Sequence, residues 1–202
     1  MSAFNLEVTL EKAVHNFLSE DPEGMAKKVA ADYSKEKGMM TLQYLNQDIA
    51  VSYPSASFIH SEGLTIVEKI LILHYLTDST GQPLTNELIS FKELPGGDIY
   101  NGPFYNRSIR PFLSLFGNKT DLFKKAAVQL GGCKQSLGDL SYTFKVLPKV
   151  PVTVVLWEGD DEFPASANIL FDKAAADYLA TEDYAVLSSL LVVRLKSLIS
   201  VD

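Results

Sequence analysis

The fold is decided by residues 151–172, which read PVTVVLWEGDDEFPASANILFD. Residues 152–157 are apolar on both faces, as in a strand that is buried between two neighbours. Residues 168–172 have the composition of a second strand, and an acidic turn separates the two runs. We therefore expect residues 152–157 to form the central strand of a sheet, with residues 168–172 placed to pair with it.

The size and charge of the chain limit its architecture and its partners. The chain has 202 residues, of which 47% are hydrophobic and 21% charged, and this is typical of one globular domain. Acidic residues outnumber basic ones by 25 to 18, and the formal net charge is -7. Because phosphate binding requires a concentrated basic surface, we exclude duplex nucleic acid and anionic membrane surfaces as partners.

Cysteine usage and the N-terminal residues predict a cytoplasmic protein. Cys133 is the one cysteine of the sequence, so this chain alone provides neither an intramolecular disulfide nor a cysteine-ligated cluster. The first residues, MSAFNLE, show no basic start followed by an apolar run, and we expect no signal peptide. The longest apolar run, around residues 70–73, is too short to span a bilayer.

Changes in hydrophobic period along the chain predict an α+β fold. We expect a single domain over residues 1–202, with a helical lead-in at 1–37 and a mixed α+β body at 38–202. The body is predicted to hold a mostly antiparallel sheet of about five to six strands packed with helices. The predicted elements are helices at 5–17, 22–37, 66–76, 109–116 and 121–130 and a last helix capped by Thr181, and strands at 40–44, 49–53, 87–94, 140–147, 152–157 and 168–172, of which the first two form a hairpin. Thr65 and Glu68 are predicted to form a capping box at the start of the helix at 66–76.

Residues 95–107 form the first candidate site. This segment, PGGDIYNGPFYNR, is rich in turn-forming residues and aromatics, and an ordered loop packed on the core is the simpler interpretation. In the functional interpretation the paired glycines let a ligand approach the backbone, and Tyr100, Asn101, Tyr105 and Arg107 bind it. The segment has neither a Gly-x-Gly-x-x-Gly nor a P-loop pattern, so it does not predict phosphate binding.

The acidic turn is the second candidate site. Glu158, Asp160, Asp161 and Glu162 place four carboxylates within five positions, and clustered carboxylates suit hard cations such as magnesium or calcium. The turn lacks the regular alternation of a calcium-binding loop. An acidic turn between strands is also typical of a solvated tip that keeps sheet edges apart, and we favour the tip.

The isolated histidines and the cysteine are weaker candidates. We expect His15 to be solvated on an amphipathic helix and His74 to be a hydrogen-bonded structural residue on a buried helix. Cys133 follows the carboxyl end of a helix, whose carbonyls raise the pKa of a thiol, so we interpret it as structural or incidental rather than as a nucleophile.

Three groups of residues in the last third carry a family resemblance. They are WEGDDEFP at 157–164, ILFD at 169–172, and YL at 178–179 followed by TED at 181–183. They resemble the prokaryotic family called domain of unknown function 3786. The resemblance implies a context in anaerobic bacteria and archaea, where some members are fused to iron–sulfur cluster domains.

Two functions follow as expectations. The first is an accessory or binding protein of anaerobic redox metabolism, which docks an iron–sulfur or cofactor partner or binds a small ligand. With Cys133 alone, this chain would depend on such a partner for any cluster. The second is a metal-assisted enzyme that uses the acidic turn.

Overall fold

The structure is a computed structural model that describes residues 6–59 and 63–199. These residues form two antiparallel sheets with helices packed against them, which confirms the α+β class and the antiparallel pairing. The smaller sheet has the order β1-β2-β3-β4, and the larger has the order β5-β9-β8-β7-β6. Their strands are β1 Asp32–Ser34, β2 Met39–Tyr44, β3 Gln47–Ser52, β4 Phe58–Ile59, β5 Leu88–Ser90, β6 Cys133–Gln135, β7 Leu140–Leu147, β8 Val150–Trp157 and β9 Ser166–Asp172.

Strand β8 is the centre of the larger sheet, as its two apolar faces predict. It pairs with β7 on one side and with β9 on the other, where Val154 lies opposite Ile169. Val152, Val154 and Leu156 are fully buried, and Thr153 and Val155 on the opposite face are 1% exposed. The prediction that residues 168–172 pair with the central strand is confirmed.

Helices surround these sheets. They are α1 Leu6–Ser19, α2 Pro22–Val29, α3 Ile66–Asp78, α4 Gly97–Phe104, α5 Arg110–Phe116, α6 Thr120–Gln129 and α7 Thr181–Ile199, with a π-helical segment at Tyr105–Ile109 and 3-10 turns at Phe91–Glu93 and Lys173–Asp177. Helix α3 begins at the predicted Thr65–Glu68 capping box and is buried on most sides. None of the helices in the described residues is long and apolar enough to cross a bilayer.

The two sheets are joined through buried polar contacts. The N–H of Leu45, in the turn between β2 and β3, donates to the carbonyl of Val146 on β7 at 2.9 Å. The hydroxyl of Tyr75 on α3 donates to the carbonyl of Val29 at 2.9 Å and accepts from the N–H of Lys149 at 2.9 Å. One phenol thereby connects α2, α3 and the turn between β7 and β8.

The predicted helical lead-in at 1–37 is wrong at its end, and its first five residues lie outside the described ranges. Helix α2 ends at Val29, because Ala30 takes a left-handed conformation with φ 56° and its N–H returns to the carbonyl of Ala26. The chain then extends, and Tyr33 pairs with Met40 in β1 rather than continuing a helix. The hairpin predicted beyond Gly38 is confirmed by the pairing of β2 with β3.

Two other predictions near the larger sheet are corrected. The strand predicted at 87–94 stops at Ser90, because residues 90–93 form a second capping box that starts a 3-10 turn. Thr181 does not precede the last helix as a cap but is its first residue, and its hydroxyl donates to the carbonyl of Pro95 at 2.8 Å.

Candidate functional site

Most of residues 95–107, from Gly97 onward, are helical rather than a loop. The turn at Gly96, with φ 71°, leads into α4, which continues through the π-helical segment into α5. Gly97 lies against the 3-10 turn, where a β-carbon would stand 1.9 Å from the carbonyl oxygen of Phe91. The paired glycines are therefore explained by a left-handed turn and a close backbone approach within the chain itself.

The structure separates the four residues predicted to bind a ligand. Asn101 and Tyr105, one helical turn apart, line the same cleft. Tyr100 is on another side of α4, where its hydroxyl is hydrogen-bonded to Glu182, and this bond raises the pKa of the phenol. Arg107 is exposed on the π-helical segment and does not line the cleft.

We name the space beside Asn101 and Tyr105 the α4 cleft. It has a volume of about 290 Å³, just below the range of about 300–1,000 Å³ for small-ligand pockets. It lies between the end of β5, the first turns after Gly97 and the start of β9. Its lining residues are Ser90, Phe91, Lys92, Asn101, Phe104, Tyr105, Ile109, Ala167 and Asn168.

The α4 cleft has an aromatic floor. The rings of Phe91 and Phe104 are stacked, with centroids 4.0 Å apart and planes within 4°. Phe171 of β9 packs against both rings, at 6.3 and 6.4 Å. Because Phe91 and Phe104 are 1% and 2% exposed, the floor is held by the core and does not depend on a ligand for its position.

The rim of the α4 cleft is polar and carries a cation. Lys92 and Tyr105 are exposed, and Asn101 and Asn168 are half-buried. Glu93 is the carboxylate of the 3-10 turn that also carries Lys92. It accepts hydrogen bonds from the N–H and the hydroxyl of Ser90, both at 2.7 Å, and these bonds lower its pKa. The residues that line the cleft therefore include a lysine and no carboxylate.

Sequence reasoning found only part of this cleft. The sequence predicts Asn101 and Tyr105 as binding residues but not Lys92 and Asn168, and the strand it predicts at 87–94 hides the turn that carries Lys92. The Ser-x-x-Glu pattern at 90–93 is the signal that could have found them, since it ends the strand and turns Lys92 towards the cleft.

A larger groove lies between the two sheets and is a weaker site. Its volume is about 530 Å³, and its lining includes Asp32, Gln43, Asp48 and Lys145. The amide of Gln43 already donates to Asp48 at 3.4 Å, and no aromatic residue lines the groove. We therefore give the α4 cleft precedence as a binding site.

The acidic turn places its carboxylates at an exposed tip. Asp160 accepts hydrogen bonds from the N–H groups of Glu162 and Phe163, at 2.9 and 2.7 Å, and these bonds lower its pKa. Glu158, Asp161 and Glu162 are exposed. Within residues 6–59 and 63–199, no group of three or more His, Cys, Asp or Glu residues is arranged to hold a metal ion. Metal binding by this turn stays a prediction.

A family model identifies most of the chain. The model for a domain of unknown function, DUF3786, matches residues 21–194. The chain belongs to this family. No match was found among curated proteins or among solved structures. The DUF3786 segment contains the α4 cleft and the acidic turn, as well as the residues on which the sequence resemblance rests.

The DUF3786 residues at the start of α7 hold the surroundings of α4 in place. Thr181 bonds to Pro95, Glu182 bonds to Tyr100, and Asp183 accepts from Nδ1 of His74 at 3.0 Å. The hydrogen bond that His74 donates to Asp183 raises the pKa of His74, although burial opposes it. Three consecutive side chains thus connect α7 to three different segments, and His74 is hydrogen-bonded structure as predicted.

Proposed function

We propose that this DUF3786 protein is an accessory binding protein whose recognition site is the α4 cleft. One observation carries the proposal: a fixed aromatic floor, made by Phe91 and Phe104, lies under a rim of unlike polar groups. Pockets of this composition bind ligands because the apolar floor contributes affinity and a few polar groups set orientation.

The charge of the rim favours an anionic or electron-rich ligand group. Lys92 is a cation in a chain with a net charge of -7, and no carboxylate lines the cleft beside it. Asn101 and Tyr105 each supply a donor as well as an acceptor, and Asn168, whose side-chain oxygen already accepts from the N–H of Ile169, supplies the N–H groups of its amide. A ligand that combines a carboxylate with an apolar part matches both surfaces.

The cellular setting is part of the proposal. We place the protein in the cytoplasm of anaerobic prokaryotes, with an iron–sulfur or cofactor protein as its partner, on the basis of the family resemblance. Cys133 is exposed and free, and a reducing compartment would keep it so. A cluster that this chain helps to serve would be ligated by cysteines of the partner.

A fragment screen followed by two-dimensional amide NMR tests the proposed site. We expect small aromatic and aliphatic carboxylates to perturb the amides of Lys92, Asn101, Tyr105 and Asn168. Replacing two rim groups, in the variant Asn101→Leu/Tyr105→Ala, should abolish these perturbations. The matched control is Tyr100→Ala, which removes an exposed tyrosine from the same helix but outside the cleft.

The location of the hits decides the outcome. Hits that disappear in the double variant and persist in Tyr100→Ala support the α4 cleft. Hits that map to the groove beside Asp32 and Lys145, or that survive the double variant, would show that the recognition site lies elsewhere.

A further inference from the structure

We infer that the acidic turn and the adjoining end of α5 form a docking surface for a partner protein that presents a lysine or arginine beside an apolar side chain. This surface is separate from the α4 cleft, since none of the described residues lines both. Three observations carry the inference: an open cleft, an exposed phenylalanine on a fixed turn, and carboxylates that have no cation beside them.

The open cleft lies between the acidic turn and the connection from α5 to α6. It has a volume of about 470 Å³ and continues into a smaller space of about 230 Å³, with which it shares Gly117, Asn118 and Gly159. We name the two spaces together the turn cleft. Because its larger part exceeds the lower limit of about 300 Å³ for ligand pockets, the turn cleft has room for more than one side chain of a partner.

Phe163 is held beside the turn cleft by its own backbone. Its N–H donates to Oδ1 of Asp160 at 2.7 Å, and its carbonyl accepts from the N–H of Asp160 at 2.9 Å. The turn is also closely packed, since a β-carbon at Gly159 would stand 2.7 Å from the backbone nitrogen of Ala165. Phe163 is nevertheless 67% exposed, so a fixed turn presents a large aromatic residue to solvent.

The apolar part of the turn cleft surrounds this phenylalanine. Phe163 lines the cleft together with Leu113 of α5, Pro164 and Ala165. Aromatic residues are enriched among the side chains that contribute most to binding in protein interfaces. Because the backbone of the turn is already ordered, binding does not have to order it. This part of the surface therefore suits an apolar side chain of a partner.

The carboxylates around the turn cleft have no cation beside them. Glu158 and Asp160 line the cleft, and Asp161 and Glu162 are exposed on the same turn. Within residues 6–59 and 63–199 these four side chains make no ion pair, and no lysine or arginine lines the cleft. Lys119 is exposed nearby but is not a lining residue. Since like charges in one turn repel one another, a cation of the partner relieves this repulsion.

The arrangement suits a basic side chain rather than a bare metal ion. Glu158 and Asp160 lie on either side of Gly159 and line different parts of the turn cleft, the smaller and the larger. In the part of the chain that the structure describes, no three His, Cys, Asp or Glu residues are grouped to hold a metal. A lysine or arginine has several N–H donors on a long side chain, and its cation also suits the face of an aromatic ring such as Phe163.

The test uses a fluorescein-labelled peptide, Gly-Lys-Leu-Arg-Lys-Gly with blocked ends, and the full-length chain. We expect saturable binding by fluorescence anisotropy that weakens as the salt concentration rises. In two-dimensional NMR the peptide should shift the amides of Asn118, Gly159 and Phe163. Replacing the leucine of the peptide by serine, or its basic residues by glutamates, should weaken binding about tenfold or more.

Two pairs of variants locate the surface. Phe163→Ala should weaken binding about tenfold, whereas Ile99→Ala, which removes another exposed apolar side chain, should change it by less than about twofold. Glu158→Gln should weaken binding about fivefold, and the control Glu11→Gln, at an exposed carboxylate of α1, should change it by less than about twofold. All four positions are exposed, so urea midpoints close to that of the wild type are expected for each variant.

The other outcomes contradict the inference. Binding that survives Phe163→Ala, or that does not need the leucine of the peptide, would show charge attraction without a docking surface. Shifts that map to the α4 cleft or to the groove beside Asp32 and Lys145 would place the peptide elsewhere. Self-association of the chain that Phe163→Ala removes would make a second copy, and not a partner protein, the occupant of the turn cleft.

Discussion

The carboxylate of Asp172 holds Thr85 by two hydrogen bonds, from the N–H at 3.0 Å and from the hydroxyl at 2.9 Å. The same carboxylate accepts from the N–H of Asn86 at 2.7 Å and from that of Ala174 at 2.9 Å. Asp172 is 4% exposed, at the end of β9. It therefore fixes the segment that leads into β5, and with it the point at which β5 stops covering β9.

Replacing Asp172 by Asn should lower the free energy of unfolding by about 2 kcal/mol, because its amide cannot accept all of these bonds. Burial opposes ionisation, yet the bonds from Ala174, Thr85 and Asn86 outweigh it and lower the pKa of Asp172. Because the pKa of Asp172 is lower in the folded state, its carboxylate stabilises the fold fully at pH values above the unfolded pKa of about 3.9. This contribution is lost as the pH falls through the folded pKa. Urea unfolding at pH 7 and pH 3 measures both effects.

The control for Asp172→Asn is Asp161→Asn, which neutralises an exposed carboxylate of the acidic turn. It should leave stability within about 0.5 kcal/mol of the wild type. An equal loss in both variants, or a loss at Asp172 that does not shrink at pH 3, would contradict the proposed role of the buried carboxylate.

His74 and Asp183 should make stability depend on pH in the opposite sense. The bond to Asp183 raises the pKa of His74, so its contribution is present below the unfolded value of about 6.5 and disappears as the pH rises through the folded pKa. We expect the free energy of unfolding of the wild type to exceed that of His74→Gln by about 1 kcal/mol at pH 5.5 and by less at pH 9. An NMR titration of the imidazole gives the folded pKa directly, and a value at or below that of an unfolded peptide would refute the assignment.

The hydroxyl of Tyr75 should contribute more to the free energy of unfolding than the hydroxyl of an exposed tyrosine. Tyr75→Phe leaves the N–H of Lys149 and the carbonyl of Val29 without their partner, at a cost of about 2 kcal/mol. Burial raises the pKa of Tyr75, so the phenol stays protonated over the working range. Tyr105→Phe at the cleft rim is the matched control, and equal urea midpoints for the two variants would disprove the bridging role.

The acidic turn should depend on Asp160 for its shape rather than on a metal. Asp160→Ala removes the acceptor for the amides of Glu162 and Phe163, so these two amides should exchange faster while global stability changes little. Calorimetry with magnesium, calcium and manganese should show no saturable heat. Saturable binding that Asp160→Ala abolishes would instead support the metal-assisted enzyme and count against a solvated tip.

The pattern of apolar residues along the sequence predicts those elements that are buried along their whole length. Residues 152–157 and α3 are apolar on most sides, so their central positions follow from composition alone. Local hydrogen-bonding patterns such as Thr65–Glu68 were equally readable, because both partners lie within one turn. Hydrophobic periodicity and capping-box patterns together predict the α+β class and the central strand.

Helix α4 was not predictable in the same way. Its sequence has two glycines at the start and Pro103 inside, which ordinarily favour a loop, and tertiary packing overrides this preference. Gly97 is required by the carbonyl of Phe91, a contact between segments that no period reveals. The α4 cleft depends on where β5 ends relative to β9, a contact between segments distant in the sequence, so the sequence predicts Asn101 and Tyr105 but not the residues that face them.

Amide NMR shifts at Asn101 and Tyr105, measured with and without a small aromatic carboxylate, test the central claim most directly. We expect saturable shifts of these amides and of Lys92 and Asn168, which line the α4 cleft. The variant Asn101→Leu/Tyr105→Ala should abolish them, and Tyr100→Ala, outside the cleft, should leave them unchanged. Shifts that map to the groove beside Asp32 and Lys145, or no shifts at saturating carboxylate, would contradict a binding site in the α4 cleft.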